Sequence, residues 1–228
     1  MSVEYILFDF VDETTLLDKD NMLRLLFAVV ESGTFQFLKK AIVCDDSPGL
    51  NYVPSEPTAL ANAWNNAIRA RQRYNGYWME FENADGAPQG VRFSFGFSPD
   101  EARRLYLTAK KTDLRSDNAM REFIRIAELI FNTLRPEYGF GLFSYDTHET
   151  PEIGAFPFAL WDYNFFSAGL THELGREALS AIPAARLADL AGGGLLLEMS
   201  PNPITLPQIK NYREASAALG FARYYQGG

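Results

Sequence analysis

The chain has 228 residues, ample for a real core in one large domain or two small ones. With 47% hydrophobic and 14% aromatic residues it is a folded protein rather than a disordered one. Its 21 basic and 29 acidic residues give a net charge of −8, which argues against nonspecific nucleic-acid binding and suits a basic partner.

The charge is unevenly placed. Residues 1–57 carry 10 acids and 4 bases, residues 58–135 carry 9 and 12, and residues 136–228 carry 10 and 5. If the two acidic ends meet on one face, that face is a negative patch. Cys44 is the only cysteine, so no internal disulfide forms. The start of the chain lacks the basic flank and apolar stretch of a signal peptide, and no run reaches the length of a membrane span. A reduced, cytoplasmic protein with no membrane partner is expected.

In chain order, residues 5–11 (YILFDFV) predict a buried strand. Asp18 or Asp20 then caps a helix with Met22, Leu25, Leu26, Val29 and Val30 on its apolar stripe, ending at Gly33. Phe37–Cys44 predicts a second strand. Pro48, Pro54 and Pro57, with Asp45, Asp46 and Glu56, predict an exposed loop. A helix is expected from Thr58 to Tyr74, stopped by Asn75-Gly76. Tyr77, Met79 and Phe81 alternate, as do Val91, Phe93, Phe95 and Phe97, with Asp85-Gly86 between the two runs, so a β-hairpin follows.

Ser98-Pro99-Asp100-Glu101 has the form of a capping box and predicts a helix start. A further helix begins at Ser116 or Asp117, with Met120, Phe123, Ile124, Ala127, Ile130, Phe131 and Leu134 at helical spacing, and ends at Arg135-Pro136. An aromatic strand around Trp161-Asp162-Tyr163, a short helix pair, a turn at Gly192-Gly193-Gly194, an apolar strand and a last helix over Leu206–Leu219 complete the chain. Strands and helices mix without a strict βαβ repeat. The fold class expected is α+β: a mixed, largely antiparallel sheet packed with several helices in a single compact domain spanning residues 1–228.

Several residues carry potential chemistry. Asp146, His148 and Glu149 lie close together, and His172-Glu173 repeats the His-Glu pair. These are metal-ligand types, but neither pair supplies the second His of an HExxH motif, so no metal or other cofactor is assigned. Cys44 at a strand end would need His148 or His172 as its base to act as a nucleophile. A phosphate loop should lead into a helix, whereas the triple glycine leads into Leu195-Leu196-Leu197, so it reads as a turn. Arg69, Arg71, Arg73, Tyr74, Tyr77 and Trp78 form a basic-aromatic cluster that reads as a solvated helix face or an interface rim.

The stretch 144–157 (SYDTHETPEIGAFP) is the favoured contact site. Asp146, Glu149 and Glu152 stand there without any Lys or Arg, beside the aromatic anchors Tyr145 and Phe156. Asp45 and Asp46 join them as candidate partner-binding acids. No residue is assigned a catalytic role.

The motifs around Trp161, Asp162 and Tyr163, the Gly192-Gly193-Gly194-Leu195 turn into a strand, and the Ser200-Pro201-Asn202-Pro203 exit resemble the immunity protein 52 family. The resemblance covers about the last 90 residues, and the first half only in the general order of its elements. It implies a non-catalytic immunity protein that binds and neutralises a cognate toxin of a type VI or polymorphic toxin system, often a nuclease. The family carries no catalytic residues over. Two other classes stay open: a small enzyme using Asp146, His148, His172 or Cys44, and a non-catalytic regulator of another partner. The oligomeric state is left open.

Overall fold

The computed structural model describes residues 5–11, 20–21, 24–25, 27–28, 38–43, 51–52, 77–83, 93–97, 104–110, 114, 117–144, 160–199 and 209–220. Among these residues, ten strands lie in one sheet: β1 (Tyr5–Val11), β2 (Leu38–Val43), β3 (Asn51–Tyr52), β4 (Tyr77–Asn83), β5 (Phe93–Phe97), β6 (Arg104–Lys110), β7 (Tyr138–Ser144), β8 (Tyr163–Phe166), β9 (Arg186–Asp189) and β10 (Leu195–Glu198). Their spatial order is β3-β2-β4-β5-β6-β1-β7-β8-β10-β9, and every pairing is antiparallel. Helices whose bounds are described are α1 (Asp117–Leu134), α2 (Ala168–Leu174), α3 (Arg176–Ser180) and α4 (Ile209–Ala218).

The first strand in the chain becomes a central strand of the sheet. β1 pairs with β6 on one side and β7 on the other, with Phe10 opposite both Leu105 and Gly139. Because β6 and β7 are each antiparallel to β1, they run parallel to each other. A parallel pair needs a crossover, and α1 supplies it. Its apolar residues Phe123, Ala127, Ile130, Phe131 and Leu134 are buried, as the 3.6-residue spacing requires. Phe131 meets Phe165 of β8 at 5.5 Å between ring centroids, and Phe165 meets Phe10 edge-on at 5.7 Å. Leu105, Leu107 and Ala109 of β6 are buried at alternate positions in register with β1. These contacts place α1 over one face of the sheet centre.

The opposite face of the C-terminal strands has its own cover. Tyr138 and Phe140 of β7, Phe166 of β8, and Leu195 and Leu197 of β10 form a cluster with Leu170 of α2, Leu179 of α3, Leu160, Ile182 and Ala215 of α4. Strands β8 and β10 are therefore buried along their whole length, on both faces. Each large apolar side chain enclosed in this way stabilises the fold by about 1.5–3 kcal/mol relative to exposure. At the end of the sheet, β9 is mostly exposed.

The α+β class and the antiparallel character of the sheet agree with the sequence, as do β1, β2, the β4–β5 hairpin, α1, the α2–α3 pair, β10 and α4. Helical residues 20–21, 24–25 and 27–28 fall in the first expected helix. Strand β7 was not among the expected strands, and the strand expected around Trp161-Asp162-Tyr163 begins only at Tyr163. Three further differences have physical causes. Asn51–Tyr52, inside the expected loop, pairs with Ala41 and Ile42 as a two-residue edge strand. Arg104–Lys110 is a strand, so a helix begun at Ser98 cannot extend beyond residue 103. The alternation of buried Leu105, Leu107 and Ala109 with Arg104, Tyr106 and Thr108 prevails over the local cap. Strand β9 was not expected, because its exposed residues lack the apolar alternation of a core strand. The helix expected over Thr58–Tyr74 lies outside the described residues.

Candidate functional site

The residues favoured for partner contact, Tyr145, Asp146, Glu149, Glu152 and Phe156, lie outside the described residues, as do Asp45 and Asp46. So do Cys44, His148 and the arginines 69, 71 and 73. His172 and Glu173 are exposed on α2. Among the described residues, no group of three or more His, Cys, Asp or Glu side chains gathers around a point where a metal could sit. Among the same residues, no helix is long and apolar enough to cross a membrane.

The triple glycine forms a turn, as its sequence context predicts. Residues Ala191–Gly193 make a single 3₁₀ turn, with Gly192 and Gly193 at φ of 74° and 90°. A side chain at Gly194 would meet the Phe166 carbonyl oxygen at 2.7 Å. The Ala191 N–H donates to Asn132 Oδ1 at 2.9 Å, which ties the turn to the last turn of α1. That helix ends in a left-handed residue, Arg135 at φ 53°, whose N–H donates to the Phe131 carbonyl at 2.8 Å. The turn is a structural joint leading into β10.

The Trp161-Asp162-Tyr163 segment is organised by its neighbour Asn164, which sequence reasoning missed. Its Oδ1 accepts from the Tyr138 hydroxyl at 3.0 Å and from the Trp161 N–H at 2.9 Å. Its Nδ2 donates to the Trp161 carbonyl at 2.8 Å and to the Leu197 carbonyl at 3.4 Å. A fully buried amide thus joins β7, β8, β10 and the chain leading into β8. Trp161 stacks on Phe140 at 5.4 Å, and Met199 donates its N–H to the Asp162 carbonyl at 2.8 Å. Ser216 of α4 accepts from the Leu160 N–H at 2.9 Å and pins that helix to the same segment. The one legible signal was an Asn set between aromatic residues in a strand buried on both faces.

An ionic cluster lies across the outer strands. Arg186 of β9 contacts Glu128 of α1 at 2.7 Å and Glu198 of β10 at 3.5 Å. Glu198 is only 8% exposed, and burial pushes its carboxyl above the usual range, helped by the charge of Glu128 and opposed by Arg186. Burial acts to lower the Arg186 guanidinium, but Glu128, Glu198 and Tyr163 outweigh it and hold the group above its ordinary value. Arg176 of α3 pairs with Asp189 of β9. Arg176 and Arg186 are therefore each engaged by carboxylates of the chain itself.

The ladder fixes which way β9 directs its backbone. Leu190 donates its N–H to the Gly194 carbonyl at 2.9 Å, and in the next ladder Met199 bonds to Asp162. By alternation, Arg186 and Ala188 turn their N–H and C=O groups toward β10. Leu187 and Asp189 turn theirs away. Among the described residues, no strand pairs with this outer edge. Among the described residues, Leu187 at 42% and Phe27 at 43% are the exposed large apolar side chains.

No protein-family model matches the chain, and no curated protein matches it. Among solved structures, it is similar to the Pseudomonas aeruginosa T6SS protein PA0821, at 12% sequence identity and a TM-score of 0.54. The alignment covers 97% of this chain and 73% of that one, and at this identity the likeness is one of fold.

Proposed function

We propose that this chain is a non-catalytic immunity protein of a type VI or polymorphic toxin system, which binds a cognate toxin domain and blocks it stoichiometrically. The observation that carries the reading is the fold likeness to a T6SS protein along 97% of the chain. The resemblance of its last third to the immunity protein 52 family, in the Trp161-Asp162-Tyr163 segment and the turn before Leu195, supports the same reading. So does the net charge of −8, which suits a basic, nucleic-acid-handling toxin. On this reading the protein is cytoplasmic and needs no cofactor. Asp45, Asp46, Asp146, Glu149 and Glu152 steer the encounter, and Tyr145 and Phe156 act as anchors.

Co-expression with the toxin encoded beside it tests the reading. The expected outcome is restored viability together with a complex that survives a sizing column. Toxicity undiminished by the protein, with no complex on the column, would reject it.

A further inference from the structure

We propose that residues 183–189 form a strap over the edge of β10, latched by arginine–carboxylate contacts and able to open while the rest of the sheet stays closed. The inference stands apart from the immunity reading.

Burial marks out the segment. Ile182 and Leu190, on either side of it, are both buried, the first in the cluster with Leu179 and Leu195. Between these two anchors no residue is buried: Ala184 and Ala188 are half-buried and the rest are exposed. Buried apolar surface is the main force that ties a strand to a core, and this segment contributes almost none. What holds it is backbone and charge. The ladder with β10 spans four register pairs, and the Ala185 N–H donates to the Glu198 carbonyl at 2.8 Å. Arg186 reaches Glu128 of α1 and Glu198 of β10, and Arg176 of α3 reaches Asp189 at the far end. Segments with few buried apolar contacts open at a lower free energy than core strands.

The closed strap hides a different kind of edge. Strand β10 is buried at every position and pairs with β8 on its inner side. By alternation along the two ladders, Leu196 and Glu198 turn their N–H groups toward β9, and Leu195 and Leu197 turn theirs toward β8. Opening the strap therefore frees the outward backbone groups of Leu196 and Glu198 on a strand that carries three leucines. An apolar edge of that kind is a template for pairing with another chain, whereas a short charged strand is not. The strap decides whether this end of the sheet offers a pairing edge.

Because its amides point both ways, β10 carries its own control. Amide hydrogen exchange of the full chain, read residue by residue by NMR, compares Leu196 and Glu198 with Leu195 and Leu197. The strap predicts protection about tenfold or more lower at Leu196 and Glu198, with Arg186 and Ala188 equally fast. Arg176→Gln and Arg186→Gln together remove the latch and should widen the gap by about threefold or more, since each exposed pair holds weakly. Unchanged protection at Leu195 and Leu197 shows that the sheet itself is intact in that variant. If the double variant does not fold, Glu128→Gln, which breaks the contact to α1 alone, decides. Equal protection at all four β10 amides overturns the strap, because β9 then opens only with the whole sheet. A gap that the folded variant leaves unchanged overturns the arginine latch, and the proposal with it.

Discussion

Asn164 shows how much a single buried side chain can hold together. An amide has one accepting and one donating end, and both are used twice here. No isosteric residue reproduces this. An aspartate would bring a carboxylate up to the Trp161 and Leu197 carbonyls, where donors are needed. A leucine fills the volume but strips the Trp161 N–H and two carbonyls of their partner in a site closed to water. Each buried polar group left unpaired costs about 1–3 kcal/mol. Asn164→Leu is therefore expected to lose about 3 kcal/mol in urea unfolding, with the loss visible as a lower midpoint at unchanged slope. A loss below about 1 kcal/mol would mean that the network relaxes around the substitution.

At the scale of elements, the decisive joint is where α1, β1, β7 and β8 meet. Phe10 lies across Gly139, and a Cβ there would come within 2.6 Å of its ring. The ring is fully buried and is held on its other side by Phe165, so it has nowhere to retreat. Gly139→Ala is expected to cost about 1–3 kcal/mol by overpacking. Phe10→Leu in the same chain should recover part of that loss, and a double-mutant cycle read by thermal melting measures the coupling. Additive effects would show that the two sites do not touch. The reasons for this joint also show what sequence can reveal. The helical stripe of α1 and the hairpin alternation of β4–β5 are local periodicities, so they could be read directly. The role of Gly139 depends on a strand more than a hundred residues away. Arg104–Lys110 was obscured because a cap signal at Ser98 competed with its alternation. Strand β9 was hidden because an edge strand with exposed Arg186, Leu187 and Asp189 has no core pattern to detect. For the candidate site, acidic stretches were legible as composition, whereas the backbone direction of Leu187 and Asp189 follows only from register.

On the scale of the whole molecule, acidity acts in two ways that can be separated. The net charge of −8 makes the folded chain repel itself, and protonation relieves this as pH falls from neutral. Glu198 adds a local contribution of the same sign. Burial raises its carboxyl in the folded state, so the folded chain holds a proton that the unfolded chain has already released. Its stabilising contribution is thus complete below the ordinary glutamate value of 4.5 and is lost as pH rises through the higher folded value. The charges acting on it are Arg186, which opposes the shift, and Glu128, which adds to it. Melting temperature is therefore expected to be higher at about pH 5.5 than at about pH 8. Salt distinguishes the two origins, because self-repulsion between exposed charges is screened and a carboxyl buried under α1 is screened much less. In about 0.5 M salt the wild type should keep a residual pH slope, and Glu198→Gln should remove that residue while melting at or above the wild type near pH 8. A slope abolished by salt in the wild type, or unchanged in Glu198→Gln, would assign the pH dependence to the net charge alone.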